Sequence, residues 1–202
     1  MSATVLLVRH PPVAKAWAGR CYGRSDMGWS REGADIAKRL VNQLACDDVG
    51  LIIHSGARRT SRLAQMVARR TGCPVHADAR WLERDFGAWE GRSWDAIWRE
   101  TGDMMDRMVT DPTGFRPGGG ETGLELSLRA QAALNALPAL ASLLVITHGG
   151  PIAALRTCRA CQPLERMIDF VPGTGEIVVF AREAPVTNDL FEARSHGIKI
   201  AC

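Results

Sequence analysis

The stretch Thr4-Val5-Leu6-Leu7-Val8-Arg9-His10 decides how this chain is read. Five β-branched or apolar residues run without a polar break, as in a strand buried on both faces of a parallel sheet. Two residues that carry chemistry then follow at once. The apolar run is too short for a signal peptide, and no stretch approaches the roughly 20 apolar residues that cross a bilayer. We therefore expect a cytoplasmic protein with no membrane association.

The same pattern recurs along the chain. Leu51 to His54 and Leu143 to Thr147 read as buried strands, Pro74 to His76 as a short one, and Gly175 to Ala181 as the last. Between them lie helical patterns. Ser30 to Ala45 places Ile36, Leu40, Val41 and Leu44 at helical spacing behind an N-capping serine. Arg58 to Thr71 is stopped by Gly72 and Pro74. Ser93 to Arg99 and Glu121 to about Leu137 are further helices, and Gly149-Gly150-Pro151 opens another with proline near its first turn. Thr110 to Gly120 reads as a loop, and the C-terminal stretch is poorly patterned. Strands alternating with helices predict a three-layer α/β/α fold with a mainly parallel central sheet and helices on both faces. A chain of 202 residues fits a single domain spanning 1–202.

Composition narrows the function. Hydrophobic residues at 46% provide for a full core, and a net charge of +3 is too mild to imply a nucleic-acid partner. Of 25 basic residues only Lys15, Lys38 and Lys199 are lysines. Arginine suits bidentate capture of phosphate, yet most of these arginines are read as compositional bias. The six cysteines are irregularly spaced and read as reduced thiols. Cys158 and Cys161 form a lone CxxC without a companion zinc motif, and we read it as structural.

Chemistry in such folds gathers where strands end and helices begin. His10 and His148 both sit there. A phosphate site needs cationic or N–H donors around three oxygens, a nucleophile, and an acid for the leaving oxygen. Arg9 precedes His10. Ser55 and Arg59 follow the second strand on the opening turn of a helix, where backbone donors favour anions. Gly149 and Gly150 repeat that arrangement after His148. Glu83, in Trp81-Leu82-Glu83-Arg84-Asp85-Phe86-Gly87, is a candidate proton donor, with Asp85, Glu90 and Glu121 as competitors. Trp81, Trp89, Trp94 and Trp98 cluster around it in sequence. We expect them to pack the Ser93 to Arg99 helix onto the sheet; the alternative is an aromatic wall for a ring-bearing substrate.

Taken together, the motifs resemble the histidine phosphatase superfamily, in its phosphoglycerate-mutase-like branch. Leu6-Leu7-Val8-Arg9-His10 is similar to its Arg-His signature. Arg20-Cys21-Tyr22-Gly23-Arg24-Ser25-Asp26 fits Arg-x-x-Gly-x-x-Asp, and Ser55-Gly56-Ala57-Arg58-Arg59 fits Ser-x-x-x-Arg. The block Glu83 to Gly91, Pro117 to Thr122 with Arg129 beyond, and Thr147-His148-Gly149-Gly150 follow in family order. The resemblance implies that His10 attacks phosphorus and that Arg9, Arg59 and His148 hold the phosphoryl oxygens. Glu83 would protonate the leaving alcohol and then activate water. Tyr22, Gly23 and Gly149 join Arg9, Arg59 and His148 around a small phosphomonoester, with no metal and no cofactor. A homodimer is compatible with the sequence, which does not set the oligomeric state.

Two departures bear on the substrate. The family's usual glycine after the histidine is Pro11, followed by Pro12, and neither can donate an N–H. A family asparagine that helps bind phosphate corresponds to Ala16. With Cys21-Tyr22-Gly23 these features look like an α-ribazole phosphatase-like branch, which removes the 5′-phosphate of α-ribazole phosphate in cobalamin assembly. The alternatives are a phosphoglycerate mutase and a catalytically inactive phosphate-binding module.

Overall fold

A computed structural model describes residues 3–182 apart from Cys46. The poorly patterned C-terminal stretch, Cys46 and Cys202 lie outside the described residues. Five strands, β1 (Ala3–Arg9), β2 (Leu51–His54), β3 (Val75–Ala77), β4 (Ser142–Thr147) and β5 (Ile177–Arg182), form one sheet in the order β3-β2-β4-β1-β5. β1, β2, β3 and β4 run parallel, and β5 closes the edge antiparallel to β1. The sheet is thus mixed and mostly parallel.

Helices α1 (Arg31–Leu44) and α2 (Arg58–Thr71) cover one face, and α5 (Gly123–Asn135) and α6 (Gly149–Arg159) the other. The alternation of β1 shows why. Val5 and Leu7 join the α5/α6 core, whereas Leu6 and Val8 join the α1/α2 core. A strand with both faces covered has no use for polar residues, hence the continuous run. Leu7, Leu143, Leu144 and Ile146 are 0% exposed, and each such side chain contributes about 1.5–3 kcal/mol on burial.

Local signals set most boundaries. Ser30 caps α1 by accepting the Gly33 N–H at 2.9 Å. Gly72 ends α2 in the left-handed region at φ 77°, a conformation that costs glycine little. α5 begins at Gly123 rather than Glu121, because Thr122 and Glu125 form a reciprocal capping box that makes Thr122 the last non-helical residue. Short helices α3 (Trp94–Thr101) and α4 (Arg107–Thr110) lie between α2 and α5.

The tryptophans depart from expectation. Trp81 is fully buried in the α5/α6 core, but α3 does not pack on the sheet through the others. Trp89 and Ile97 join Cys21 and Phe115 in a separate small core, with Phe86 and Trp94 against it, and Trp98 is 43% exposed. Two loops, a 3-10 turn and helices α3 and α4 supply this core, so no single periodic segment announces it.

Candidate active site

The strand order builds the site. Arg9 on β1 pairs with Thr147 on β4, so His10 and His148 are the next residues on adjacent parallel strands. The His10 N–H donates to the Thr147 carbonyl at 3.0 Å, and the two imidazoles meet edge-on with centroids 5.2 Å apart. β2 flanks β4 on its other side, pairing His54 with Ile146. That brings Ser55 and the first turn of α2 against His148. The three strand ends therefore deliver His10, His148 and Arg59 to one point.

Both histidines are neutral. His10 is 1% exposed, and its pKa is pushed down to about 3 by burial first, then by the Arg59 charge. His148 is 0% exposed and held well below the usual histidine range by burial, followed by Arg59 and His10. The His10 tautomer follows from its partner. Nδ1 lies 2.8 Å from the Pro11 carbonyl, which only accepts, so Nδ1 carries the proton and Nε2 keeps its lone pair. Pro11 gives the site no N–H, but it supplies the acceptor that fixes this tautomer. A neutral imidazole with a free Nε2 pair is chemically able to attack an electrophilic phosphorus.

His148 Nε2 lies 2.8 Å from Ser55 Oγ, and Ser55 Oγ lies 2.8 Å from Thr60 Oγ1. Thr60 Oγ1 donates to the Ala57 carbonyl at 2.8 Å, so Ser55 donates to Thr60 and accepts from His148, whose Nε2 bears the proton. The Nδ1 of His148 therefore keeps its lone pair and is buried with no protein partner among the described residues, as are the Nε donors of Arg9 and Arg59. A buried donor without an acceptor costs roughly 1–3 kcal/mol. Two of them beside an unpartnered acceptor suit a small oxyanion that still bears a hydroxyl.

Other donors of the two arginines aim them. Arg59 Nη2 donates to the Gly23 carbonyl at 2.6 Å and Nη1 to the Ser25 carbonyl at 2.7 Å. Its guanidinium also lies 5.9 Å from the Tyr22 ring centroid. Arg9 Nη1 donates to the Pro172 carbonyl at 2.6 Å. Gly23 is not among the residues lining the cavity and is packed so closely that a Cβ there would lie 1.9 Å from the Arg84 carbonyl oxygen. Arg9, Tyr22, Glu83, Gly149 and Gly150 line a cavity of about 390 Å³, and the two histidines and Arg59 are buried.

Of the four carboxylates weighed for the acid, only Glu83 lines that cavity. Asp85 pairs with Arg24 at 3.2 Å and accepts the Gly87 N–H. Glu90 accepts from the Arg24 and Ser25 backbone, holding the loop whose carbonyls aim Arg59. Glu121 is engaged by both Nε and Nη2 of Arg129 at 2.7 Å. Glu83 itself accepts the Gly150 N–H at 3.0 and 3.2 Å and the Arg84 N–H at 2.9 Å. The N-terminus of α6 thus seats the carboxylate, as expected for an anion there.

Two positioning residues carried no assigned role in the sequence reading. Arg129 clasps the Glu83 segment from behind, donating to the carbonyls of Arg80 at 2.7 Å, Leu82 at 2.8 Å and Glu83 at 3.3 Å while bidentate to Glu121. Glu90 is the other. Their sequence signal was a position inside or just beyond a motif, and only the fold shows what they hold.

Comparison with known proteins places the chain in a family. The family model for the histidine phosphatase superfamily (branch 1) matches residues 5–186. A probable phosphoglycerate mutase GpmB of Salmonella choleraesuis (strain SC-B67) is 31% identical over 154 residues, 75% of this chain and 72% of that protein. A putative alpha-ribazole-5'-P phosphatase from Escherichia coli K-12 has the same fold, with a TM-score of 0.79 at 23% identity, covering 90% of this chain and 91% of that one. A mycobacterial glucosyl-3-phosphoglycerate phosphatase shares it too, with a TM-score of 0.78 at 22% identity over 89% and 90% of the two chains. With its paired strand-end histidines and its match over nearly the whole described length, the chain belongs to the histidine phosphatase superfamily (branch 1).

Proposed function

We propose that the protein is a phosphomonoesterase working through a phosphohistidine at His10. The observation that carries this reading is the convergence of neutral His10, with its Nε2 pair free, and unpartnered buried side-chain nitrogens on Arg9, Arg59 and His148. In the first step His10 Nε2 forms a bond to phosphorus as the ester P–O bond breaks, and Glu83 gives a proton to the leaving oxygen. Arg9, Arg59 and His148 hold the three phosphoryl oxygens as charge redistributes. In the second step Glu83, now a carboxylate, takes a proton from water. The water oxygen bonds to phosphorus, the P–N bond breaks, and inorganic phosphate leaves with His10 restored.

The sequence relatives named phosphoglycerate mutases support a second reading, in which the phosphoryl group returns to a bound sugar acid. The solved α-ribazole phosphatase relatives make α-ribazole 5′-phosphate a substrate worth testing. The deciding experiment is hydrolysis of p-nitrophenyl phosphate with EDTA present, wild type beside His10→Ala. Turnover that survives EDTA and vanishes in the variant is the expected result. A well-folded wild type without turnover, or an active His10→Ala, overturns the proposal.

A further inference from the structure

We infer that the cavity above the phosphoryl site binds the alcohol portion of the ester, and that this portion is an apolar body about the size of one or two rings. The inference rests on the phosphatase reading and adds the substrate class. Its floor is the chemical site, since Arg9, Glu83, Gly149 and Gly150 line it. An ester bound there must send its leaving group up between the walls.

Those walls are apolar and come from separate parts of the chain. Phe86 and Trp94 form one side, Met108 and Val109 of α4 another, and Met167 and Ile168 of the 3-10 helix Leu164–Phe170 a third. Val109 is 41% and Ile168 64% exposed, although an apolar side chain gains by leaving water. Clustered exposed apolar residues around a concavity mark a binding surface. The volume of about 390 Å³ falls within the range of roughly 300–1,000 Å³ typical of small-molecule pockets. Met108 and Met167 add unbranched, adaptable side chains that fit more than one ring shape.

The cations of the wall are partly held by main-chain carbonyls. Arg20 donates to the carbonyls of Ala16 at 3.1 Å and Gly91 at 2.8 Å. Arg84 donates to the Glu121 carbonyl at 2.9 Å and stacks toward the Phe86 ring, and its unpartnered Nη2 is itself buried. Glu165 adds a negative charge to the lining. A leaving group bearing a carboxylate therefore meets partly engaged cations and an acidic side chain here, whereas an apolar one meets the walls.

Binding tests this independently of turnover. Methylphosphonate, phosphonoacetate, benzylphosphonate and 1-naphthylmethylphosphonate share a non-hydrolysable head and differ in the body. At about 25 cal/mol per Å² of apolar area, roughly 55 Å² buried by the ligand corresponds to about tenfold in Kd. By calorimetry we expect Kd to fall at least tenfold from methyl- to naphthylmethylphosphonate. In a Val109→Thr/Ile168→Thr double variant, which removes apolar surface without adding charge, that ratio should shrink several-fold. Leu128→Thr, on an exposed position of α5 outside the cavity, should leave it unchanged. Equal affinities for the four ligands, tightest binding of phosphonoacetate, or a ratio untouched by the double variant overturns the inference. Hydrolysis of p-nitrophenyl phosphate alongside keeps the two questions apart. Turnover without apolar preference sinks the substrate class alone, whereas absent turnover sinks the phosphatase reading whatever the ligands do.

Discussion

Burying His10, the proposed attacking group, as a neutral side chain ties the stability of the fold to pH, and His10→Asn measures the link. The folded pKa of His10 is about 3, against an ordinary value of 6.5. Between those values the unfolded chain holds a proton that the folded chain refuses. Stability is therefore complete above about pH 6.5 and is lost as pH falls toward 3. Going from pH 7.5 to pH 5.0, the unfolded state gains by RT times the logarithm of its roughly 30-fold proton-binding advantage, about 2 kcal/mol. Asparagine does not titrate and can still offer an N–H to the Pro11 carbonyl. Urea unfolding at the two pH values should show the wild type losing about 2 kcal/mol more than His10→Asn. With a urea slope of about 2 kcal/mol per molar, that is roughly a 1 M difference in midpoint shift. Identical pH dependence in the two proteins would refute the buried, neutral His10 on which the mechanism stands.

Three further outcomes are expected. Gly150→Ala puts a Cβ 2.2 Å from Glu83 Oε1 while suiting the helix otherwise, so kcat for an alkyl phosphate should fall by about 10²-fold through misplacement, with the melting temperature within a few degrees of wild type; unchanged kcat on that ester removes Glu83 from the reaction. Glu83→Gln should slow alkyl phosphates far more than aryl phosphates, by about 10²-fold or more for the alkyl ester, because aryl oxides leave without help; equal losses would take the acid role from Glu83. Arg129→Lys breaks the fork to Glu121 and part of the carbonyl clasp. It should lower kcat about tenfold or more, leave KM nearly unchanged and shift the pH–rate profile through Glu83, whereas a purely structural residue would lower the melting temperature and leave that profile alone.

Sequence was most legible where one residue's chemistry settles a local question. Arg58–Thr71 and Leu51–His54 have the boundaries the sequence predicts, because a glycine able to turn left-handed ends the helix and a buried apolar run has no other use. The strand-end positions of His10 and His148 were visible for the same reason. Less was visible wherever a segment owes its conformation to neighbours. The Leu164–Phe170 turn and α4 have no fully buried residue and no periodic face, yet they wall the cavity. The tryptophans around Glu83 could not be sorted into core and surface until Phe115 and Cys21 arrived from distant loops.

By itself the sequence determined the class of fold, the residues able to carry phosphoryl chemistry, and their places at strand ends, since these depend on hydrophobic periodicity, caps and side-chain type. Tertiary structure decided the rest. It placed β4 between β1 and β2, so that His148 meets both His10 and Ser55. It ran β5 antiparallel along β1, and it occupied three of four carboxylates elsewhere, leaving Glu83 at the cavity. Strand order and the competition for partners are set by which surfaces can be buried together, and no short stretch of sequence contains both sides of that contact.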